Sequence, residues 1–260
     1  DADAIRLDSL AGTFNGAYID GTGSYSLEAP NDLRVACDVR DLDLSQGFAP
    51  GKDLPETRLN GAIDLRYRVD DGSIAYACDL GEGDFMEFPF ESAVTRGTYA
   101  NDVLDAEDIR LFAPTHTVTG RGTIVGDDSL SFVFNLDCQK SDTIFGYLGV
   151  TDYRGDLSVN GMWEGRFDAW DVHLSGTCAD LAYRQAFVRA GEIKLAVKRV
   201  EEDDYRVSFD LEGPGCSIGP ADFSKVSLSL AYADSVTTIK KLSLARDTLT
   251  ADMAIDVRLE

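Results

Sequence analysis

The sequence predicts an all-β protein whose strands form one long, antiparallel, meandering sheet. Apolar and polar residues alternate with period two along most of the 260 residues, as in strands with one buried face. Short turn sequences separate the alternating stretches, so neighbours in the chain should also be neighbours in the sheet. No amphipathic helix of ordinary length interrupts this pattern, and we expect roughly 16 to 18 strands. We interpret residues 1–260 as a single elongated, repetitive β domain that divides, if at all, into residues 1–140 and 141–260.

In the first half of the chain, clear alternation predicts three strands, at residues 33–39, 63–69 and 74–80. Asp70-Asp71-Gly72 predicts a hairpin turn between the second and the third. Residues 45–56 hold glycines and prolines and are expected to form a linker. Residues 85–90 are apolar but contain a proline, which indicates an edge strand or a bulge.

The second half continues the alternation, at residues 130–138, 157–159, 172–178, 193–197, 207–211, 226–232, 242–244 and 249–259. An acidic run at residues 201–204 predicts a turn between two of these strands. Residues 141–150 are expected to form a short helical or looped turn.

One phrase recurs along the chain. Residues 107–124 contain a short strand, a break and a second strand with two glycines; a near copy lies at residues 4–25 and a looser one at residues 241–255. Recurrence of this kind indicates a repetitive architecture. No strand-to-helix context follows the glycines, so they are interpreted as places where a sheet bends or backbones approach closely, and not as a dinucleotide site.

Aligned by their letters, the first two copies match in both strands. Residues 5–7 align with residues 109–111 in the first strand. In the second, residues 19–25 align with residues 118–124, which brings the glycines of both copies into register.

Composition and charge narrow the range of functions. Hydrophobic residues make up 44% of the chain, enough for a substantial core, while the formal net charge of −22 argues against a nucleic-acid or anionic membrane surface. No apolar run approaches the roughly 18 residues of a membrane span. The chain starts and stops inside strand-like patterns and has no signal peptide, so we expect it to be a piece of a longer protein.

Four of the five cysteines share the apolar face of the predicted strands. Cys37, Cys78, Cys138 and Cys178 lie on the apolar parity, and Cys216 follows after a break. They show no CxxC spacing and do not cluster with a histidine, so neither a zinc site nor a disulfide framework is expected. The stripe indicates a continuous apolar face that is either a closed core or an open trough.

A trough follows from the length of the sheet. About 17 strands spaced at about 4.8 Å would extend about 80 Å, and open sheets rarely exceed about ten strands without curling or splitting. The enclosed apolar surface would suit acyl chains, and equally the ordinary packing of a β-sandwich. The residues predicted to line it are Val35, Cys37, Leu65, Tyr67, Tyr76, Cys78, Phe132, Phe134, Leu136, Leu174, Leu195, Val197, Phe209, Leu228, Leu230, Met253 and Ile255.

The strand pairs of about 20 residues, the repeated phrase and the glycine-containing strand entries at residues 59–63 and 153–157 resemble the AsmA-like family. Within it the chain looks most like the TamB branch, along nearly its whole length. The resemblance implies a sheet curled into a taco-like groove with an apolar interior.

Function is also implied by this resemblance. Such proteins are anchored in the inner membrane of diderm bacteria, cross the periplasm and carry phospholipid towards the outer membrane. TamB also works with an outer-membrane barrel protein, TamA, in outer-membrane protein assembly. The five cysteines depart from what an oxidising periplasm favours, which implies deep burial or an anaerobic organism.

Other motifs are interpreted as structural. The series from Asp41 to Gly47 echoes a calcium loop, but Lys52 stands where an EF-hand needs glutamate, so a solvated turn is expected. His116 and His173 lack a nucleophile at a recognisable spacing and are expected at the surface. We therefore predict no catalytic residue, no metal, no cofactor and no enzymatic activity.

Two alternative functions remain open. Exposed strand edges would let the chain act as a chaperone-like module that pairs with unfolded strands. The aromatic residues Trp163, Phe167 and Trp170 would serve a carbohydrate-binding or surface β protein, although packing at the end of a core explains them as well.

Overall fold

The computed structural model describes residues 4–14, 16–27, 31–43, 57–85, 88–126, 128–140, 153–201, 204–233, 236–246 and 249–258. These residues form an all-β structure of eighteen strands, and the strand pairs are antiparallel. The all-β prediction is thereby confirmed. The expected linker at residues 45–56 and the expected turn at residues 141–150 lie outside the described residues.

The chain divides into two compact units, Asp1–Gly126 and Asp127–Glu260. The strands of unit 1 are β1 Ala4–Phe14, β2 Ala17–Ser26, β3 Asp32–Leu42, β4 Thr57–Arg68, β5 Ser73–Leu80, β6 Gly83–Phe85, β7 Phe88–Phe90, β8 Ser92–Ala100, β9 Val103–Phe112 and β10 His116–Val125. Strands β1 to β5 pair in chain order, and β8, β9 and β10 continue the ladder from β5.

The strands of unit 2 are β11 Ser129–Cys138, β12 Tyr153–Arg166, β13 Trp170–Tyr183, β14 Ala186–Glu201, β15 Asp204–Ile218, β16 Ala221–Ala233, β17 Val236–Arg246 and β18 Leu249–Arg258. They form an uninterrupted meander in which each strand pairs with the next. In the described part of each unit the sheet is open, and its first and last strands do not pair with each other.

Residues 85–90 do not form the single apolar strand that the sequence predicted. Strands β6 and β7 are two three-residue strands paired with each other, and β6 also pairs with the start of β4. Pro89 lies in β7, opposite Asp84. A short strand at the side of the main ladder tolerates proline, because the missing N–H interrupts no central hydrogen bonds.

The hairpin turns follow local turn chemistry. Gly72 has φ of +67° and its N–H donates to the Arg68 carbonyl oxygen at 3.0 Å, while the Asp71 carboxylate accepts from the Ser73 N–H at 2.9 Å. Asn101 and Asp102, between β8 and β9, both have positive φ, as a type I′ turn requires. The sequence analysis identified the first of these turns and missed the second.

β-Bulges correct the alignment of the repeated phrase. In β1 the register shifts between Leu7 and Leu10, which pair with Gly23 and Gly21. In β9 it shifts between Ala106 and Ile109, which pair with Gly122 and Gly120. Residues 109–111 therefore correspond to residues 10–12, not to residues 5–7, because Ile109 and Leu10 each pair with the first of the two glycines.

The third copy has the same construction. In β17 the register shifts between Ile239 and Leu242, which pair with Ile255 and Met253 of β18. Each copy of the phrase is thus a hairpin with a bulge in its first strand. The extra residue of a bulge shifts the alternation of the strand by one position. Apolar residues three positions apart, one on each side of the bulge, therefore lie on the same face of the sheet.

The buried core lies towards one end of the strands in each unit. In unit 1 it centres on Ala17, Val39 and Leu42. In unit 2 it is larger and comprises Val159, Cys178, Leu181, Val188, Ile193, Leu211, Cys216 and Val226. Several large apolar side chains at the other end of the strands are exposed, so the two ends of the apolar face differ in accessibility.

Candidate functional site

The candidate site is the apolar face of each sheet, and strand register shows which side chains share it. Residues directly opposite each other in an antiparallel pair point to the same face. In unit 1, Val35 pairs with Leu65, and Leu65 with Tyr76. One row further along, Cys37 pairs with Ile63, and Ile63 with Cys78.

Tyr67 belongs to the next row in the other direction, between Leu33 and Ile74. The six residues predicted for this half of the chain therefore lie on one face of unit 1. The same rows continue into the glycines of the repeated phrase, since Val35 pairs with Gly23 and Cys37 with Gly21.

In unit 2 the register also brings the predicted residues onto one face. Phe134, Leu174, Leu195, Phe209 and Leu230 share one row across β11 to β16, with Gly161 as the residue of β12. The adjacent row includes Leu136, Leu228 and Leu242, and the row on the other side includes Phe132 and Val197. Met253 and Ile255 occupy the register positions opposite Leu242 and Ile239, and their side chains lie outside the described residues.

Gly161 makes the row continuous by leaving room for an aromatic ring. A Cβ atom on Gly161 would lie 2.5 Å from Cε2 of Phe134, its partner on β11, and closer still to Cζ. The ring of Phe134 therefore lies across the backbone of β12. Glycine at this position lets one phenylalanine cover the surface of two strands.

Burial on this face differs between positions along the same strands. In unit 2, Val159 is 2% exposed, whereas Trp163, four residues further along the same strand and on the same face, is 37% exposed. In unit 1, Val39 is buried and Leu65 is 40% exposed. The apolar face is thus a packed core at one end and an accessible apolar surface at the other, an arrangement typical of an interaction site.

The cysteines lie on this face as thiols and form no disulfide with one another. Cys138, Cys178 and Cys216 are buried, and Cys37 and Cys78 are half-buried. Cys37 and Cys78 flank Ile63, and Cys138 and Cys178 flank Leu157 in the same way in unit 2. Burial raises the pKa of Cys37, Cys78, Cys178 and Cys216, so these thiols stay protonated at neutral pH and are poor nucleophiles.

The polar face of unit 1 carries a concave region of about 620 Å³. Arg6, Arg34 and Arg66 line it, over a floor of small residues that includes Ala36 and Ala75. Arg66 is held in place by the buried Asp32, whose Oδ2 accepts from Arg66 Nε at 2.8 Å. Val35, Leu65 and Tyr76 of the predicted lining also border this concavity, between the neighbouring residues of the polar face.

The histidines differ from each other. His173 is exposed on the polar parity of β13, as expected, whereas His116 is only partly exposed and burial lowers its pKa. In the described part of the chain, no three His, Cys, Asp or Glu side chains are grouped so that they could hold a metal ion.

The first residues of the calcium-like motif form hydrogen bonds that connect the end of β3 to β4. The Asp41 N–H donates to Oδ1 of Asn60 at 2.9 Å, and Oδ1 of Asp43 accepts from the Thr57 N–H at 3.2 Å. Both interactions tie the end of β3 to the start of β4. The remainder of the motif, residues 45–52, lies outside the described residues.

Aromatic side chains gather at the accessible end of unit 2. The ring centroid of Trp170 lies 6.0 Å from that of Trp163 and 6.2 Å from that of Tyr205, and both pairs are edge-to-face. Phe132 extends the group, with its centroid 6.4 Å from that of Trp163. This aromatic cluster lies at the end of the apolar face and includes Trp163, Trp170 and Tyr205. The two tryptophans were predicted from the sequence as an aromatic group, and Tyr205 was not.

Comparison with known proteins finds no matching family model, no matching curated protein and no matching solved structure. Over the residues that the structure describes, no helix has the length and apolar character needed to cross a membrane. The functional interpretation therefore depends on the geometry of the apolar face.

Proposed function

We propose that the apolar faces of the two units bind the acyl chains of phospholipids, in a groove formed where the long sheet curls over its apolar side. The observation that supports this proposal is the apolar face of each unit, packed at one end of the strands and accessible at the other. Leu65, Tyr67 and Trp163 are examples of large apolar side chains on this face that remain more than a third exposed.

The chemistry of the face suits an acyl chain. Its backbone N–H and C=O groups are used in strand pairing, and its side chains are mostly aliphatic, aromatic or thiol groups, so an acyl chain there needs no hydrogen bonds. Each buried CH₂ group contributes about 0.8 kcal/mol, so even half of a long acyl chain would be held firmly. A polar ligand such as a sugar would lose its hydrogen bonds to water on most of this surface.

The wider role follows from the resemblance to the AsmA-like family, TamB branch. We propose that the chain is a periplasmic segment of a protein anchored in the inner membrane, and that it conducts phospholipid between the membranes of a diderm bacterium. An outer-membrane barrel protein of the TamA type is the proposed protein partner. Catalysis forms no part of this role.

Site-specific photo-crosslinking tests the proposal. A photoreactive amino acid at Phe134 or Leu195 should capture phospholipid when the protein is purified from bacterial membranes and its adducts are analysed by mass spectrometry. Lys194 is the matched control, because it neighbours Leu195 in β14 and lies on the polar face. Capture at Lys194 equal to that at Leu195, or no capture at either apolar position, would contradict lipid binding on this face.

Strand addition is a second candidate function, and β1 favours it. All described side chains of β1 are exposed, among them Ile5, Leu7 and Leu10. An extended peptide could pair with an exposed strand edge and place its apolar side chains beside these residues. In that case crosslinks to polypeptide would concentrate at β1, and Phe134 and Leu195 would capture little lipid.

A further inference from the structure

An arginine interrupts the apolar face of unit 2. Arg199 pairs with Trp170 on one side and with Tyr205 on the other. Two residues earlier in β14, Val197 pairs with Val172 and Val207. Arg199 therefore has the parity of the apolar side chains, at the accessible end of the face.

The guanidinium of Arg199 lies within the aromatic cluster. Its Cζ atom is 6.0 Å from the centre of the Tyr205 ring, a cation–π distance. Tyr205 also contacts Trp170 edge-to-face, and Trp170 contacts Trp163. Trp163 and Tyr205 are both 37% exposed, so a ligand can reach this cluster from solvent.

The hydrogen-bonding capacity of Arg199 is largely unused. Its Nη1 donates to the Phe167 carbonyl oxygen at a long 3.4 Å, and its Nε is buried with no acceptor in the described part of the chain. A buried N–H without an acceptor is costly, so an anionic oxygen arriving there would be strongly favoured.

Among the side chains that the structure describes, no carboxylate forms an ion pair with Arg199. The Asp168 carboxylate is close enough to feel its charge, but Arg166 already donates to that carboxylate, from Nε at 3.0 Å and from Nη2 at 3.4 Å. Lys198 and Arg206 are paired with each other across β14 and β15 and belong to the polar face, where Lys198 bonds to Asp171.

We propose that Arg199, with Trp163, Trp170 and Tyr205, binds the phosphate of a phospholipid whose acyl chains lie on the apolar face. This site rests on the proposed function, and it adds the class of ligand and its orientation. A guanidinium matches phosphate geometry through paired N–H groups, and Trp and Tyr prefer the boundary between apolar and polar surroundings. Both features are met at one point of the face.

The length of the apolar face along β14 agrees with this orientation of the phospholipid. From Arg199 to Ile193, at the buried end, β14 advances six residues or about 20 Å, slightly more than the roughly 15 Å depth of one leaflet of a bilayer core. Acyl chains that begin at the phosphate would therefore run along Val197 and Leu195 and end over the buried core.

Lipid preference measures the contribution of the arginine. The delipidated chain is incubated with phosphatidylglycerol or with diacylglycerol of the same acyl chains, and bound lipid is quantified after gel filtration. Wild-type protein should favour phosphatidylglycerol about tenfold, as expected for a hydrogen-bonded charge pair. Arg199→Gln should remove this preference while diacylglycerol uptake persists, and Arg199→Lys should keep part of it. Arg206→Gln, on the polar face of the neighbouring strand, is the control and should behave as wild type.

The orientation of the bound phospholipid can be measured by tryptophan fluorescence, because the only two tryptophans of the chain are Trp163 and Trp170. Phosphatidylglycerol brominated near the carboxyl end of its acyl chains should quench their fluorescence more strongly than the same lipid brominated near the methyl end. Equal quenching, or the reverse order, would overturn the orientation.

Four outcomes would overturn the site. If wild-type protein takes up both lipids equally, or if Arg199→Gln keeps the preference while its unfolding midpoint matches wild type, the phosphate is not bound by Arg199. If inorganic phosphate changes the tryptophan fluorescence as strongly as the lipid does at equal concentration, the site serves a free anion. If wild-type protein takes up neither lipid, the proposed function fails and this site fails with it.

Discussion

At the scale of single residues, the cysteines show how burial sets chemical character. Burial raises the pKa of the Cys178 and Cys216 thiols, so less thiolate is present at a given pH than in an exposed cysteine. Both side chains also belong to the packed core of unit 2. They are therefore expected to serve as small apolar groups, and their raised pKa explains how free thiols persist without reacting.

This account predicts slow labelling of the cysteines by iodoacetamide at pH 8 in the native protein. Cys138, Cys178 and Cys216 should label last, and only at the rate of global unfolding, whereas the half-buried Cys37 and Cys78 should label first. Time-resolved labelling followed by peptide mass spectrometry gives each rate separately. Rapid modification of Cys178 without urea, at the rate seen in urea-unfolded protein, would show that the core is open.

Arg199 is the residue that the sequence analysis overlooked, although its signal was present. It continues the parity of Ile193, Leu195 and Val197, so an alternating pattern already places a charge on the apolar side. The aromatic residues Trp163 and Trp170 were recognised, but Tyr205 is distant in the sequence. Only strand pairing shows that these three rings and the guanidinium meet.

At the scale of strands, period-two alternation predicted which residues share a face of the sheet. Sequence similarity did not predict which residues of the first strand correspond between copies of the phrase. The sequence alignment of residues 5–7 with residues 109–111 was wrong, because similar residues recur along an alternating strand and only the pairing with the glycines shows which of them correspond. Alternation survives a bulge on either side of it, which is why the described residues of the predicted lining share one face in each unit although the alignment was wrong.

Glycine conformation at one strand entry leads to a stability prediction. Gly61 has φ of +145°, and a Cβ atom there would lie 2.7 Å from Leu80 Cα. Gly61→Ala should therefore lower the free energy of unfolding by about 2 kcal/mol or more, because both strain and a backbone clash result. Urea unfolding followed by circular dichroism measures the change.

Gly12→Ala is the matched control for this prediction. Gly12 also lies in a strand of unit 1, but nothing lies within 4 Å of its hypothetical Cβ and its φ is not positive. Its substitution should change the free energy of unfolding by no more than about 0.5 kcal/mol. Equal effects at the two positions would mean that the strand entry at Gly61 is not constrained as described.

At the scale of the whole molecule, the question is whether the apolar face is a filled core or an open surface. Leu195→Arg distinguishes the two. On an open face the arginine reaches solvent, so uptake of phospholipid should fall severalfold while the unfolding midpoint changes little. In a filled core the unpaired charge would cost several kcal/mol and unfold the protein. Ala196→Arg, one residue along on the polar face, should affect neither quantity.

Lipid content tests the central claim most directly. The chain is delipidated, refolded with labelled phospholipid and separated from free lipid by gel filtration, with Phe134→Arg prepared in parallel. Binding on the apolar face predicts stoichiometric lipid on the wild-type protein and markedly less on a folded Phe134→Arg variant. Folded wild-type protein that carries no lipid would contradict the account.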